Sequence, residues 1–236
     1  MTPIPSPTLS MAPSYNRPMA PSHPRRILGL DPGTHRLGYA LLEERPGGTP
    51  RLLASGVLTA PLSRPPAERL GRFFRELESV VAAHQPTAIA IESSFFGENA
   101  RSLLRLGEAR GCALALAGVH GLCTHDYAPA AIKKAVAGHG NASKAQVARL
   151  LLRLLPELAE SGPIGPLDRT DAIAIAWCHL LETRADGREV RMAAAAAASG
   201  RNGTAGASRR TKTPPCTGAP ASDARRLVEA WRRRRR

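Results

Sequence analysis

The stretch Ile27-Leu28-Gly29-Leu30-Asp31-Pro32-Gly33-Thr34 is the part of the sequence that decides the fold. Its first half has the apolar composition of a buried strand. The second half is a strong turn signal, because proline fixes φ and glycine accepts backbone angles that other residues avoid. A second apolar run follows over residues 37–44. We therefore predict two strands, residues 26–31 and 37–44, joined by this turn, with Asp31 at the end of the first.

The remainder of residues 25–184 alternates between strand-like and helix-like segments. Further strands are predicted over residues 51–58, 87–91 and 122–127. Helical spacing of apolar residues predicts helices over residues 66–83, 99–119, 132–137, 143–155 and 168–182. Three consecutive strands followed by alternating strands and helices indicate an α/β fold, a mixed five-stranded sheet with helices on both faces.

Two flanking segments differ in composition from this foldable part. Residues 1–24 are rich in Pro and Ser and predict a disordered extension, in which Met19 offers an alternative start. Residues 185–236 contain a run of six alanines, then Gly, Ser, Thr and Pro, and finally five arginines. They predict a disordered basic tail. We therefore expect one folded domain over residues 25–184.

The charge of the chain indicates a polyanionic partner, either nucleic acid or an acidic membrane surface. Its 236 residues include 33 Lys and Arg against 19 Asp and Glu, and most of the +14 surplus lies in residues 185–236. No apolar run reaches the roughly 18–20 residues that span a bilayer, and the N-terminus lacks the apolar core of a secretory signal. Four cysteines without a CxxC pair fit a cytoplasmic location.

Four acidic residues are candidates for a functional site, although each has an ordinary explanation when taken singly, and Glu92 ends a predicted central strand, where α/β proteins place such sites. Asp31 is also a favoured first residue of a turn, and Glu92 also suits the exposed end of a strand. Asp168 is typical of an N-cap, with Asp171 at the favourable third position of the helix. Asp168 and Asp171 are three residues apart and share one helix face, about 5–6 Å from each other.

If that helix crosses the ends of the two strands, the four carboxylates converge. Two carboxylates 4 Å apart repel by roughly 4 kcal/mol at an effective dielectric near 20, so such a cluster requires cations. Oxygen ligands of this kind suit Mg²⁺ or Mn²⁺, and two ions about 3.5–4 Å apart can clamp a phosphodiester for in-line hydrolysis. The convergence itself is an expectation that the sequence alone does not test.

Motifs along residues 26–181 resemble the RuvC family of Holliday junction resolvases, in the family's order and spacing. They are Ile27-Leu28-Gly29-Leu30-Asp31-Pro32-Gly33-Thr34 with Gly38-Tyr39, Ala90-Ile91-Glu92 with Phe95, Asn99-Ala100, Leu106-Gly107-Glu108-Ala109-Arg110-Gly111, Gly138-His139-Gly140 with Lys144-Ala145-Gln146-Val147, and Asp168-Arg169-Thr170-Asp171-Ala172-Ile173-Ala174-Ile175-Ala176. The resemblance implies a ribonuclease-H-like fold and a homodimer that cuts four-way DNA junctions. It also implies two Mg²⁺ ions per subunit, replaceable by Mn²⁺, and the RuvA and RuvB branch-migration complex as partner, with no membrane involved.

The resemblance also implies roles for individual residues. The acids that match the family's catalytic metal ligands are Asp31, Glu92, Asp168 and Asp171. Lys133 and Lys144 match lysines of its active-site and DNA-contacting face, and Phe95 matches an aromatic that stacks on bases near the opened crossover. We further expect Lys134 and Arg101 to contact DNA. Ordinary alternatives stay open, namely a core aromatic for Phe95 and a solvated lysine for Lys144.

The predicted helix over residues 99–119 carries many small residues, which permit close approach of another helix. They are Ala109, Gly111, Ala113, Ala115 and Ala117. The RuvC family uses this region for dimerisation, while packing on the sheet of the same chain is the alternative.

Other functions explain parts of the pattern. Actin-like and sugar-kinase ATPases also begin with a strand and an Asp-x-Gly turn, but they need a second domain for which about 160 foldable residues leave no room. A non-catalytic nucleic-acid-binding module explains the charge but not acids in four separate motifs, although a catalytically inactive junction binder stays open. The nearest alternative is a related ribonuclease-H-like nuclease that acts on another branched or RNA substrate.

Overall fold

The computed structural model of the chain describes residues 24–33, 35–45, 48–93, 100–160 and 167–198. Five strands and six helices lie in this part of the chain. In order they are β1 (Arg26–Pro32), β2 (Arg36–Glu43), β3 (Arg51–Thr59), α1 (Pro66–His84), β4 (Ala88–Glu92), α2 (Ala100–His120), β5 (Cys123–Tyr127), α3 (Pro129–Ala137), α4 (Lys144–Leu154), α5 (Pro156–Glu160) and α6 (Leu167–Ala198). The predictions for residues 1–23 and 199–236 lie outside the described residues.

The strands form one five-stranded sheet in the order β3-β2-β1-β4-β5. β1, β2 and β3 pair antiparallel, as consecutive strands joined by short turns can. β4 pairs parallel with both β1 and β5, and the connections between these strands run through helices. The predicted mixed five-stranded sheet is therefore confirmed, with β1 at its centre.

Helices cover both faces of the sheet, as predicted, because β1 is apolar on both sides. Leu28 and Leu30 pack on one face in a core shared with Phe73 of α1 and Leu116 of α2. Ile27 packs on the other face in a core formed with α3, α4, α5 and α6. A strand buried on both faces reads as a continuous apolar run, and this explains the composition of the first motif.

Helix α6 lies in backbone contact with the sheet. A Cβ at Gly29 of β1 would fall 2.8 Å from the backbone nitrogen of Ala176 and would overlap the carbonyl oxygen of Ala172. Residues 172–180 of the helix are all buried. Because β1 has no side chain at this crossing, α6 comes close enough for its first turn to reach the end of β1.

The structure differs from the sequence prediction in two elements. Helix α6 continues to Ala198 instead of ending at residue 182, so residues 185–198, predicted as the start of the disordered tail, have helical backbone. Alanine has the highest helix propensity, and extending an existing helix avoids the cost of nucleation. Helix α5 was not predicted, because five residues are too few to show a periodic pattern.

The described part of the chain contains no helix that is both long and apolar enough to cross a membrane.

Candidate active site

The sheet brings Asp31 and Glu92 together at the carboxyl end of its two central strands. Leu30 of β1 pairs with Ile91 of β4 in parallel register, so the next residue on each strand is an acid. Both carboxylates are partly buried. Carboxyl ends of central parallel strands are the usual position of functional sites in α/β proteins.

The β1–β2 hairpin and α6 bring Asp168 to the same position. Gly38 pairs with Asp31 across the hairpin, and a Cβ at Gly38 would overlap the backbone carbonyl oxygen of Asp168. Helix α6 begins at Leu167, one residue before the predicted cap, so Asp168 lies in the first turn. Asp171 follows three residues later, and the four predicted acids therefore lie near this end of the sheet, where the other three act on the charge of Asp31.

Asp31 lies within electrostatic reach of the other three acids. Its pKa is raised from 3.8 to about 7, by burial first and then by the charges of Asp171, Glu92 and Asp168. The pKa of Glu92 is also raised, by burial first and then by Asp171. Both effects disfavour ionised carboxylates that lack a nearby cation.

Lys144 supplies part of the missing positive charge. It is the first residue of α4, and Ser143 caps that helix by accepting from the backbone N–H of Gln146. The ammonium nitrogen of Lys144 lies 2.5 Å from Oδ2 of Asp171. This hydrogen bond raises the pKa of Lys144, and the lysine in turn lowers the pKa of Asp31.

For the other predicted site residues, the structure gives fewer contacts or leaves the side chain undescribed. Lys133 of α3 lies near enough to Glu92 to lower its pKa. Lys134 follows it and is exposed. Arg101 lies in the first turn of α2, where its side chain is outside the described part of the structure, and Phe95 lies outside the described residues altogether.

Arg36 is a site residue that the sequence analysis missed. Its guanidinium Nη1 lies 3.7 Å from Oδ2 of Asp168, and both side chains are partly exposed. The only signal in the sequence is that Arg36 begins β2 just beyond the Asp31 turn. Such a position does not identify an ion-pair partner 132 residues away.

The candidate ligands suit a hard divalent cation, because all four are carboxylates. Burial also disfavours their negative charges unless positive charges lie nearby. Among the described residues, no three His, Cys, Asp or Glu side chains are grouped closely enough to hold one ion. Positively charged side chains contact two of the acids: Lys144 contacts Asp171, and Arg36 contacts Asp168. A divalent cation that bound here would replace these contacts.

Comparison with known proteins assigns the chain to a family. The family described as crossover junction endodeoxyribonuclease RuvC matches residues 27–179, well over half of the chain. The chain belongs to the RuvC family. The RuvC of Porphyromonas gingivalis is 41% identical over 159 residues, which cover 67% of this chain and 83% of that protein. The RuvC of Halorhodospira halophila is 44% identical over 157 residues, which cover 65% of this chain and 89% of that protein.

Two solved structures superimpose on the chain. Thermus thermophilus RuvC in complex with a Holliday junction substrate superimposes with a TM-score of 0.64 at 31% identity, covering 69% of this chain and 96% of that one. The yeast mitochondrial Holliday junction resolvase Ydc2 superimposes with a TM-score of 0.51 at 13% identity, which shows a shared fold alone. The ribonuclease-H-like fold that the resemblance implied is thus confirmed.

Proposed function

We propose that this RuvC-family chain is a Mg²⁺-dependent endonuclease that resolves four-way DNA junctions by paired symmetric nicks, during homologous recombination and DNA repair. The observation that carries the proposal is the position of Asp31 at the end of β1, beside β4 and the start of α6. Three further carboxylates act on its pKa there. Membership in a family of crossover junction endodeoxyribonucleases supports the choice of substrate.

The proposed roles fall into two groups, acidic residues that hold metal ions and lysines that offset negative charge. Asp31, Glu92, Asp168 and Asp171 would hold two Mg²⁺ ions, which Mn²⁺ could replace. Bound there, the ions would activate a water and stabilise the departing 3′ oxygen. Lys144 and Lys133 lie beside the same carboxylates and would offset negative charge on the phosphate as it reacts.

A homodimer would place two such sites on one junction, and α2 offers the surface for it. Four of the six most exposed large apolar side chains among the described residues lie on this helix: Leu103, Leu104, Leu114 and Val119. Gly107, Gly111 and Gly118 lie between them with open space where a side chain would be. We call these seven residues the α2 stripe. Ala109, Ala113 and Ala117 are instead buried, and Ala113 and Ala117 belong to the core on this face of the sheet. Of the small residues predicted for close packing, Gly111 is thus available for the proposed dimer contact.

A second copy of the chain fits the α2 stripe because the stripe is complementary to itself. When two copies of α2 run antiparallel about Gly111, Leu104 of each copy lies opposite Gly118 of the other. Leucine against glycine is the arrangement that lets helices approach closely. A two-fold axis of this kind uses the same surface on both subunits, and cyclic dimers are the commonest oligomers.

The decisive experiment is to incubate the purified protein with a synthetic four-way junction, a linear duplex and an RNA–DNA hybrid, with and without Mg²⁺. We expect paired nicks at symmetric positions on the junction alone, with 5′-phosphate and 3′-hydroxyl ends. Asp31→Asn and Glu92→Gln should still bind the junction and lose at least about 100-fold in cleavage rate. Asp126→Asn is the matched control and should cut normally. Asp126 lies on β5, is partly exposed and pairs with Arg110 of α2.

Two outcomes would contradict the proposal. The first is an intact junction after incubation with wild-type protein, and the second is normal cutting by both acid variants. Cleavage of the hybrid in preference to the junction would favour the related nuclease instead. The RuvA and RuvB partnership and the cytoplasmic location stay predictions of family membership.

A further inference from the structure

Strand β2 directs the side chain of Arg36 at the candidate active site. Alternate residues of this strand pack on opposite faces of the sheet, and Ala40 and Leu42 belong to the core on the α6 face. Arg36 is an even number of residues before both of them, so its side chain lies on the same face. There its Nη1 atom lies 3.7 Å from Oδ2 of Asp168, in the first turn of α6.

The backbone of Arg36 is held on both sides. The N–H of Gly33 donates to the carbonyl oxygen of Arg36 at 2.8 Å, which closes the turn that follows Asp31. On the other side, Arg36 pairs with Thr59 of β3. It lies two residues before Gly38, the pairing partner of Asp31, and therefore about 7 Å further along the strand. Only the side chain of Arg36 is free to change its contact.

The contact between Arg36 and Asp168 is an ion pair without a hydrogen bond, because 3.7 Å exceeds the usual donor–acceptor distance. Arg72 and Arg110 approach their acids more closely, at 2.7 and 2.8 Å. Within the described part of the chain, the guanidinium of Arg36 donates no hydrogen bond. Exposed arginines often have free donors, and the distinguishing feature of Arg36 is that its donors lie beside a candidate metal ligand.

Binding of a divalent cation at Asp168 would weaken this ion pair, because the carboxylate charge would then be shared with the metal. Guanidinium binds carboxylate and phosphate oxygens in the same bidentate manner. A phosphodiester at the four acids would therefore be a suitable new acceptor for Arg36. Lys144 has the same relation to Asp171, and the two acids are three residues apart on one helix face.

We infer that Arg36 binds the scissile phosphate when a divalent cation occupies Asp168, and that it exchanges the carboxylate for a phosphate oxygen. The inference rests on the proposed function, because it requires a phosphodiester at this site. It adds a phosphate contact from β2 to that of Lys144 from α4, and no motif in the sequence assigns a role to Arg36.

The first test measures Mn²⁺ binding to the free protein by electron paramagnetic resonance. Arg36→Gln removes the side chain that competes for Asp168, so the affinity for Mn²⁺ should rise about 1.5- to fivefold, the range expected for an exposed ion pair. Arg72→Gln is the matched control and should leave the affinity unchanged. Arg72 is 50% exposed against 48% for Arg36, also pairs with an acid, and lies on α1. An affinity that is unchanged or lower in Arg36→Gln would overturn the exchange.

The second test measures junction binding in saturating Mg²⁺ over a range of salt concentrations, with Glu92→Gln present in every protein to suppress cutting. Adding Arg36→Gln should lower the salt slope by about 0.9, the contribution of one phosphate contact. Adding Arg72→Gln should not, because α1 packs on the other face of the sheet. A neutral methylphosphonate in place of the scissile phosphate should lower the slope by itself, and Arg36→Gln should then have no further effect.

An unchanged slope in the Arg36→Gln protein, or an equal effect of Arg36→Gln on the phosphate and methylphosphonate junctions, would overturn the contact with the scissile phosphate. If the wild type still cuts the junction in paired nicks, the proposed function stands despite that result. Conversely, the expected Mn²⁺ and salt effects in a protein that cuts no junction would contradict the proposed function alone.

Discussion

The ammonium nitrogen of Lys144 lies 2.5 Å from Oδ2 of Asp171, joining the first residue of α4 to the fifth residue of α6 across 27 residues of sequence. The capping box of Ser143 and Gln146 fixes where α4 begins, and the burial of α6 fixes Asp171. Lys144 is therefore held beside Asp31 and Glu92, whose negative charges help to raise its pKa.

Replacing Lys144 by Gln should slow junction cleavage by about 10²-fold or more, because a positive charge next to the reacting phosphate is lost. Stability should change by less than about 1 kcal/mol, since the lysine side chain is largely exposed and its ion pair is solvent-screened. Lys144→Arg keeps the charge and should recover part of the rate. Single-turnover cleavage and urea unfolding measure the two effects, and a normal rate for Lys144→Gln contradicts the role proposed for this residue.

Gly29→Ala should destabilise the protein by about 1–3 kcal/mol or more, because the added methyl group overlaps the backbone of α6 and forces the helix away from β1. Gly71→Ala on α1 is the control with the opposite sign. The added methyl group there meets only the flexible end of Arg75, and alanine should gain about 0.5–1 kcal/mol in a helix. Urea denaturation of both variants checks the prediction, and equal effects would mean that α6 tolerates a shift.

Leu104→Glu should convert the proposed dimer into a monomer, because it places a charge in the centre of an apolar contact. Leu62→Glu is the matched control, since Leu62 is also exposed, at 46% against 67% for Leu104, and lies outside α2. Sedimentation equilibrium over a range of protein concentrations measures the effect. A wild-type protein that stays monomeric at every concentration, or a dimeric Leu104→Glu variant, argues against the α2 stripe as the interface.

The contribution of His179 to stability should fall as the pH drops below about 6.5. Its ring is buried, its Nδ1 lies 2.8 Å from the hydroxyl of Tyr127, and its ring centroid lies 4.5 Å from that of His125. Burial lowers the pKa of His179 to about 3, with smaller contributions from His125 and Arg25. Between pH 3 and 6.5 His179 therefore binds a proton in the unfolded chain that it does not bind in the folded chain, and its contribution to stability rises with pH there. The raised pKa of Asp31 acts with the opposite sign, so the effect of His179 is measured as a difference from a variant.

His179→Gln keeps a hydrogen-bond partner for Tyr127 but cannot titrate, so its loss of stability from pH 7.5 to 5.5 should be smaller than that of the wild type. The difference is at most about 1.4 kcal/mol per pH unit for one group. His139→Gln changes an exposed histidine and should follow the wild-type curve. Urea unfolding at the two pH values distinguishes these cases, and parallel curves for all three proteins would exclude His179 as a cause.

Much of the fold could be predicted from local patterns. The β1–β2 turn needs only Asp31, Pro32 and Gly33 in sequence, and an apolar run of strand length identifies β4. Helix α5 and the end of α6 could not be predicted, because a five-residue helix shows no periodic pattern and an alanine run is compatible with several states. One missed helix and one shifted boundary do not affect the order of the sheet.

The sequence by itself determined which residues carry charge and which segments become strands or helices, because those properties depend on neighbours within a few positions. It therefore identified Asp31, Glu92, Asp168 and Asp171 as candidates. Only the tertiary structure decided that they lie together, since that depends on how closely α6 approaches the sheet over Gly29 and Gly38. The pairing of Arg36 with Asp168 has the same origin, because contacts between distant segments follow from packing and not from local sequence.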